Sequence, residues 1–293
     1  MLIAQWNRVA CSMALAALAS CCAAGAASAA TPATFLICGG GPFPSLSAEI
    51  YATRDGAGLT RLTTGARPGL LTAARDRAIY SGFDPATWGN QMVELTAAPD
   101  GTFPSRRLKT SRDSEGWPVL SRDGSRLAYV DRRSDGHDGL LDVALVVRGD
   151  ATGRPREITV VHAVGDMDFD AHNRLHVLTA IAGAGSRITV GDGRRTQMVL
   201  RRRTSILRYS AASGRLALGG FDPRWGPWSE VRTPTGQLVA RRRQIVVLSW
   251  ARDGRRVLVL RRTDGRLAYW SPGPNRLSLW PRLACGRIAT AQQ

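Results

Sequence analysis

The sequence predicts an all-β chain folded as a six-bladed β-propeller, built from four-stranded antiparallel blades and closed by pairing of its N- and C-terminal strands. Three observations carry the prediction. Five segments superpose on one arginine, each couples a tight turn to a β-forming run, and strand-like segments left over at the two ends of the chain supply one more blade. The anchors are Arg77, Arg126, Arg174, Arg215 and Arg256, spaced 49, 48, 41 and 41 residues apart. A period in the forties is that of a four-stranded propeller blade.

The first thirty residues carry one charge, Arg8, then a small apolar run over Val9–Ala19 and almost nothing but Ala, Gly, Ser and Cys. That is the layout of an export signal, expected over residues 1–30, with residues 31–293 left as one propeller domain. Two cleavage readings stand. Ala27-Ser28-Ala29 offers the small-x-small site of a signal peptidase, whereas Leu18-Ala19-Ser20-Cys21 resembles a bacterial lipobox in which Cys21 would carry the acyl chains. Either way the protein is expected outside the cytoplasm, as a periplasmic, extracellular or cell-surface lipoprotein species, where disulfides persist. Cleavage after Ala29 leaves Cys38 and Cys285 as an even pair near the two ends, read as a disulfide, with two buried thiols as the alternative. In the chain-entropy picture such a bridge contributes roughly 4 to 5 kcal/mol.

Beyond the leader, Phe35–Cys38, Glu49–Thr53 and Leu59–Thr63 read as strands with no preceding hairpin anchor. Each anchor then follows an Asp-Gly-like turn and opens a run such as Leu127-Ala128-Tyr129-Val130, which suits a hairpin. Alternating strands follow, for example Leu141–Val147 and Glu157–Val161. Phe83-Asp84-Pro85 with Trp88-Gly89, and Phe221-Asp222-Pro223 with Trp225-Gly226, show two units sharing a connecting loop. At the far end Cys285–Ala289 reads as one more short strand, which completes a sixth blade with the N-terminal strands. The 263 residues from position 31 onward, at a little over forty each, agree with six. Helical periodicity sustained over three turns is absent beyond the leader, which weighs against a helical solenoid.

Ser121-Arg122-Asp123-Gly124-Ser125-Arg126-Leu127-Ala128-Tyr129-Val130 and Trp250-Ala251-Arg252-Asp253-Gly254-Arg255-Arg256-Val257 resemble the Ser-Pro-Asp-Gly-x-x-(Ile/Leu)-Ala repeat of TolB-type β-propellers. Ala48-Glu49-Ile50-Tyr51, followed by Asp55-Gly56-Ala57-Gly58-Leu59-Thr60-Arg61-Leu62-Thr63, resembles the outer strands of the same repeat. Arg stands where the repeat has Pro before Asp-Gly, and the other three anchors lack the motif. The resemblance covers the propeller part only. It implies the fold and no shared role, because fold alone does not carry function.

With 44% hydrophobic residues the chain has the material for a full core, and no apolar run beyond the N-terminus is long enough to cross a membrane, so a multi-span membrane protein is excluded. The formal net charge is +17, and Lys109 is the only lysine, so the positive charge is arginine. The runs Arg201-Arg202-Arg203 and Arg241-Arg242-Arg243 are expected at strand ends, concentrating charge on loops. A positive surface attracts polyanions. For an exported protein these are anionic phospholipid or wall polymer, and no base-reading or stacking features point to a specific nucleic acid.

A search for reaction chemistry is mostly negative. No Gly-x-Ser-x-Gly elbow occurs. The four histidines are His137, His162, His172 and His176, the last two flanking one hairpin turn. Asp166-Met167-Asp168-Phe169-Asp170 would place three carboxylates on one strand face, a candidate Ca²⁺ set, but the Gly and Glu of an EF-type loop are replaced by Ala171 and Val177. The competing reading is an innermost strand beside a wet channel, its carboxylates meeting arginines. Trp225 and Trp228 beside Arg224 form a candidate aromatic and cationic contact point, against the alternative of packing between blades.

The expected function is an exported, non-catalytic binding module that presents loops around one mouth of its ring to a protein or anionic envelope polymer. No cofactor is expected, and any membrane contact runs through the possible lipid anchor. The alternative is a propeller lyase or hydrolase acting on acidic polysaccharide, with His, Asp and Arg gathered at the channel mouth.

Overall fold

The computed structural model describes residues 34–292 apart from 40–47, 54–57, 67, 76, 85–88, 99–101, 109–115, 135, 137–139, 153, 162, 182–184, 192–194 and 284–286. Ala33–Gln293 forms one compact unit. The leader with Cys21, together with His137, His162 and Cys285, lies outside the described residues.

The chain opens with β1 (Thr34–Gly39), β2 (Glu49–Thr53) and β3 (Thr60–Arg61). Four strands follow as β4 (Pro68–Ala74), β5 (Arg77–Asp84), β6 (Gly89–Thr96) and β7 (Ser105–Arg107). Next come β8 (Gly116–Leu120), β9 (Arg126–Ser134), β10 (Leu140–Arg148) and β11 (Arg156–Val161). Then β12 (Val164–Phe169), β13 (Leu175–Ile181), β14 (Gly185–Val190) and β15 (Arg195–Leu200). The last two sets are β16 (Ile206–Tyr209), β17 (Leu216–Asp222), β18 (Gly226–Arg232) and β19 (Leu238–Arg243), then β20 (Ile245–Trp250), β21 (Val257–Arg261), β22 (Leu267–Ser271) and β23 (Arg276–Leu279). The final strand is β24 (Arg287–Gln292).

These strands make six four-stranded antiparallel sheets, and the sixth is assembled from both ends of the chain in the order β24-β1-β2-β3. Phe35 pairs with Gln292 and Cys38 with Ile288 across that junction. Strands β24, β4, β8, β12, β16 and β20 each touch the next in a closed cycle, so they line a central channel. The closing strand begins two residues later and runs further than Cys285–Ala289, while β3 is confined to Thr60–Arg61; past it the Leu62 amide still bonds the Ile50 carbonyl, but the Ile50 amide donates to the Thr63 hydroxyl instead of to backbone.

Strand alternation sends successive side chains to opposite faces, and here both faces are apolar. Phe35 and Ile37 of β1 pack toward Leu71 and Tyr80, whereas Leu36 and Cys38 pack toward Leu248 and Leu258. Leu127 and Tyr129 join one seam, Ala128 and Val130 the next. The core is therefore six separate clusters, one at each seam between neighbouring sheets.

The anchor arginines stand at the start of the second strand in five of the six blades. Arg77 and Arg126 are the first residues of β5 and β9, and Arg174, Arg215 and Arg256 immediately precede β13, β17 and β21. Each turn before them closes on itself: the Ser121 amide donates to the Arg126 carbonyl at 2.9 Å, and the Ala251 amide to the Arg256 carbonyl at 2.9 Å. Gly124 and Gly254 supply the positive φ, 71° and 62°, that these turns need. Two anchors also cross a seam. Arg77 donates to the carbonyls of Gly124, at 3.2 Å, and Gly149, and Arg126 donates to the Asn173 carbonyl at 3.2 Å. In three blades a buried glutamate on the third strand is clamped by an arginine of the exposed outer strand, in the pairs Glu49–Arg61, Glu94–Arg106 and Glu230–Arg241. Burial opposes ionisation of Glu49 and Glu230, but their hydrogen bonds outweigh it and hold both carboxyls below the usual range.

Gly149 packs so tightly on the neighbouring turn that a Cβ there would stand 1.8 Å from the Gly124 carbonyl oxygen. Gly149→Ala is expected to destabilise the fold by about 3 kcal/mol, because backbone rather than a flexible side chain would have to give way. Gly273→Ala, with nothing within 4 Å of its Cβ, is expected to change stability by less than about 1 kcal/mol. Thermal unfolding of the two variants checks this, and equal melting temperatures would refute the close-approach account.

Candidate functional site

The second strand of each blade runs from one mouth of the channel to the other. The turns between first and second strands therefore gather at one mouth, and the hairpins between second and third strands lie at the opposite end. Candidate residues from the sequence divide between the two.

At the turn mouth, five innermost strands and their turns enclose a cavity of about 600 Å³ lined by residues 70–75, 117–120, 122–123, 166–171, 173, 208–211 and 249–252. The three aspartates of the third anchor's blade enter here, but they do not converge. Asp166 is buried, accepts hydrogen bonds from the Leu207 amide at 2.8 Å and the Met167 amide at 2.9 Å, and pairs with Arg208. Asp168, half-buried, accepts from the Tyr209 amide at 2.6 Å and the Phe169 amide at 2.8 Å. Both carboxylates of β12 thus fasten onto the backbone of β16 in the next blade. Asp170 turns away into its own hairpin, taking the amides of His172 (2.8 Å) and Arg174 (2.9 Å), the Arg174 guanidinium (2.7 Å) and His176 Nε2 (3.2 Å). Among the described residues no three His, Cys, Asp or Glu side chains form a group able to hold a metal ion.

Burial pushes the Asp166 carboxyl up despite the Arg208 cation, and pushes Asp168 to about 7 against the same cation and its backbone donors. Asp170 is held below the usual range because the Arg174 and His176 bonds exceed the burial cost. His176 is buried and stacked on Tyr209 with centroids 4.9 Å apart, and burial lowers its pKa against the pull of Asp170. His172 lies exposed on the turn.

At the opposite mouth, Asp222 shapes the β17–β18 hairpin by accepting the Arg224 amide at 2.9 Å and the Trp225 amide at 3.3 Å, with Gly226 at positive φ. The hairpin leaves Phe221 64% and Trp225 56% exposed. The Arg243 guanidinium lies 4.7 Å over the Trp225 ring, and Gln244 donates to the Trp225 carbonyl at 2.9 Å. Trp228 is different: it is buried against Gly220, and Arg202 covers its ring at 5.8 Å. Of the two candidate tryptophans, one is exposed on the hairpin and the other is buried in packing. Arg201, Arg202 and Arg203 are exposed on the loop after β15, as expected. Arg241–Arg243 instead belong to β19 itself, where Arg241 clamps Glu230 and Arg242 donates to the Asn275 carbonyl at 2.8 Å. In the other hairpin sharing this loop sequence, Pro85–Trp88 lies outside the described residues.

Sequence reasoning passed over Arg208, Tyr209, Trp117, Ser249 and the turn residues Arg122 and Arg252. The last two carried a usable signal, since they are the arginines standing where the TolB-type repeat has proline.

No known protein family's sequence profile matches the chain, and no curated protein matches it. Solved structures do. TolB from Acinetobacter baumannii superposes with a TM-score of 0.66 at 13% identity, over 90% of this chain and 67% of that one. A structure of the nidogen/laminin complex gives 0.62 at 11% identity, covering 89% and 97%. The PQQ-bound aldose sugar dehydrogenase from Streptomyces coelicolor gives 0.51 at 13% identity, covering 77% and 84%. At these identities the likeness shows a shared fold: the chain is a propeller of the kind TolB carries.

The folded-state pKa of Asp168 lies above that of an unfolded aspartate, so between about pH 4 and pH 7 the folded state holds the extra proton and stability falls as pH rises. Asp168→Asn removes this dependence. Relative to wild type, the variant is expected to gain melting temperature on going from about pH 4.5 to about pH 7.5. A difference that stays constant across that range would contradict the assignment.

Proposed function

We propose that the protein is an exported, non-catalytic binding module that engages a protein or an anionic envelope polymer through the mouth carrying the Phe221–Trp225 hairpin. One observation carries the reading: two large exposed aromatics sit among Arg201, Arg202, Arg203, Arg224 and Arg243, none of which pairs with a carboxylate among the described residues. Guanidinium forks match carboxylate and phosphate groups, and an indole adds apolar area at low entropic cost. A net charge of +17 raises the local concentration of any polyanion. Among structures of similar fold, one is a nidogen/laminin complex, an assembly between proteins.

Export rests on the leader sequence and accords with the likeness to TolB. Supporting the Cys38–Cys285 bridge, Cys38 is 3% exposed on β1 opposite Ile288, and Cys285 stands just ahead of β24 in the chain.

Trp225→Ala and the triple change Arg201→Ser, Arg202→Ser, Arg203→Ser are each expected to weaken retention on anionic vesicles or isolated wall polymer about tenfold. Wild-type retention should fall between about 50 mM and about 300 mM salt. Retention indifferent to salt and to both variants would overturn the reading. Separately, mass spectrometry of the unreduced secreted protein is expected to find the Cys38 and Cys285 peptides joined. Alkylation of both as free thiols would exclude the bridge.

A further inference from the structure

The cavity at the other mouth has no part in that reading, and its lining is built in a way that seam packing does not require. Ser249 on β20 is 4% exposed, lines the cavity, and its hydroxyl has no hydrogen-bond partner among the described residues. A buried hydroxyl with nothing to bond is costly and calls for a ligand or bound solvent. Trp117 lines the same space from β8 with φ at 53°, a left-handed backbone that a bulky residue seldom adopts, at an irregularity between Gly116 and Val119. At the rim, Arg122 reaches across the ring and donates from Nη2 to the Arg252 carbonyl at 3.2 Å. That bond holds the guanidinium over the opening while leaving its other N–H donors for a guest. Arg75 stands exposed at the same rim.

Four arginines and four aspartates line the space, but they are not matched pair by pair, and Asp168 accepts from the backbone amides of Tyr209 and Phe169. Asp166 is paired with Arg208, Asp170 with Arg174, and Asp123 is bonded to Ser121, Ser125 and Asn173. Arg75 and Arg122 have no carboxylate partner among the described residues. A volume of about 600 Å³ lies within the range of small-molecule sites.

We propose that this cavity binds a small hydroxylated organic anion, its carboxylate or phosphate held by Arg75 and Arg122 at the rim and its hydroxyls by Ser249 and Asp168 within, against the Trp117 ring. The site is independent of the Phe221–Trp225 surface.

The test is calorimetric titration of the purified protein with three probes on one scaffold: D-glucuronate, D-glucose 6-phosphate and D-glucose. At least one anionic probe is expected to bind one-to-one with a dissociation constant near or below about 1 mM, and neutral glucose at least about tenfold more weakly. The stronger anion identifies the carboxylate or the phosphate as the group recognised. The double variant Arg75→Ala, Arg122→Ala is expected to weaken that binding at least about tenfold. Ser249→Ala should weaken it severalfold while leaving the melting temperature unchanged, because the hydroxyl has no intramolecular bond to lose. Trp225→Ala should bind the small anions as wild type does, so failure at one mouth is distinguishable from failure at the other. Absence of binding by both anions, equal binding of glucose, or affinity unaffected by the arginine and serine variants would overturn the proposal.

Discussion

Each sheet in this protein is apolar on both faces, and that constraint governs the rest. A single sheet of this kind exposes one face or the other, and a row of them leaves two faces uncovered at its ends. Only a closed ring covers all of them, which is why the chain finishes by inserting β24 inside its own first strands. The insertion completes two seams together, since Leu36 and Ile288 pack toward Leu248 while Phe35 packs toward Leu71. A cut at this junction would expose both.

Closure also sorts the polar groups. Because the innermost strands run in the same sense, the five turns that lead from β4, β8, β12, β16 and β20 into the next strands crowd one mouth, and turn carbonyls become the natural acceptors for the preceding blade. Gly124 accepts from Arg77, Asn173 from Arg126, and Gly254 from the Ser210 hydroxyl at 3.4 Å. The anchor arginine is thus partly a seam fastener. Where the turn carries its own well-placed carboxylate, the arginine folds back instead, as Arg174 does onto Asp170 and Arg256 onto Asp253.

This explains what was legible in the sequence. The period, the hairpins and the two-ended blade were readable because turn chemistry and β-forming runs are local. The glutamate clamps were not, since Glu49, Glu94 and Glu230 look like ordinary surface residues of alternating strands until an outer-strand arginine covers them. The need for glycine at 149 was equally hidden, because it comes from a turn 25 positions earlier in the chain that packs against it. At the sites, strand alternation placed Asp166 and Asp168 correctly on one face, but Asp170 lies past the end of β12 and obeys the turn. Trp225 and Trp228 were indistinguishable in sequence. Their fates diverge because one sits on the hairpin and the other opposite Gly220, whose missing side chain makes room for its ring.

The carboxylates of β12 show how the scaffold limits its own chemistry. Their oxygens are already engaged by the amides of Leu207 and Tyr209, so recruiting them to a cation or a reacting proton would loosen the seam between two blades. What remains directed at the channel is guanidinium, hydroxyl and indole, with the second lone pairs of the Asp168 oxygens, which can accept a hydroxyl without giving up their amides; these groups suit the holding of a solute. The opposite mouth, freed from that structural duty, carries its aromatics outward on a hairpin shaped by Asp222 and Gly226 and held from the side by Gln244. A surface built this way tolerates sequence change at its tip without disturbing any seam, and that freedom suits a surface that recognises a partner.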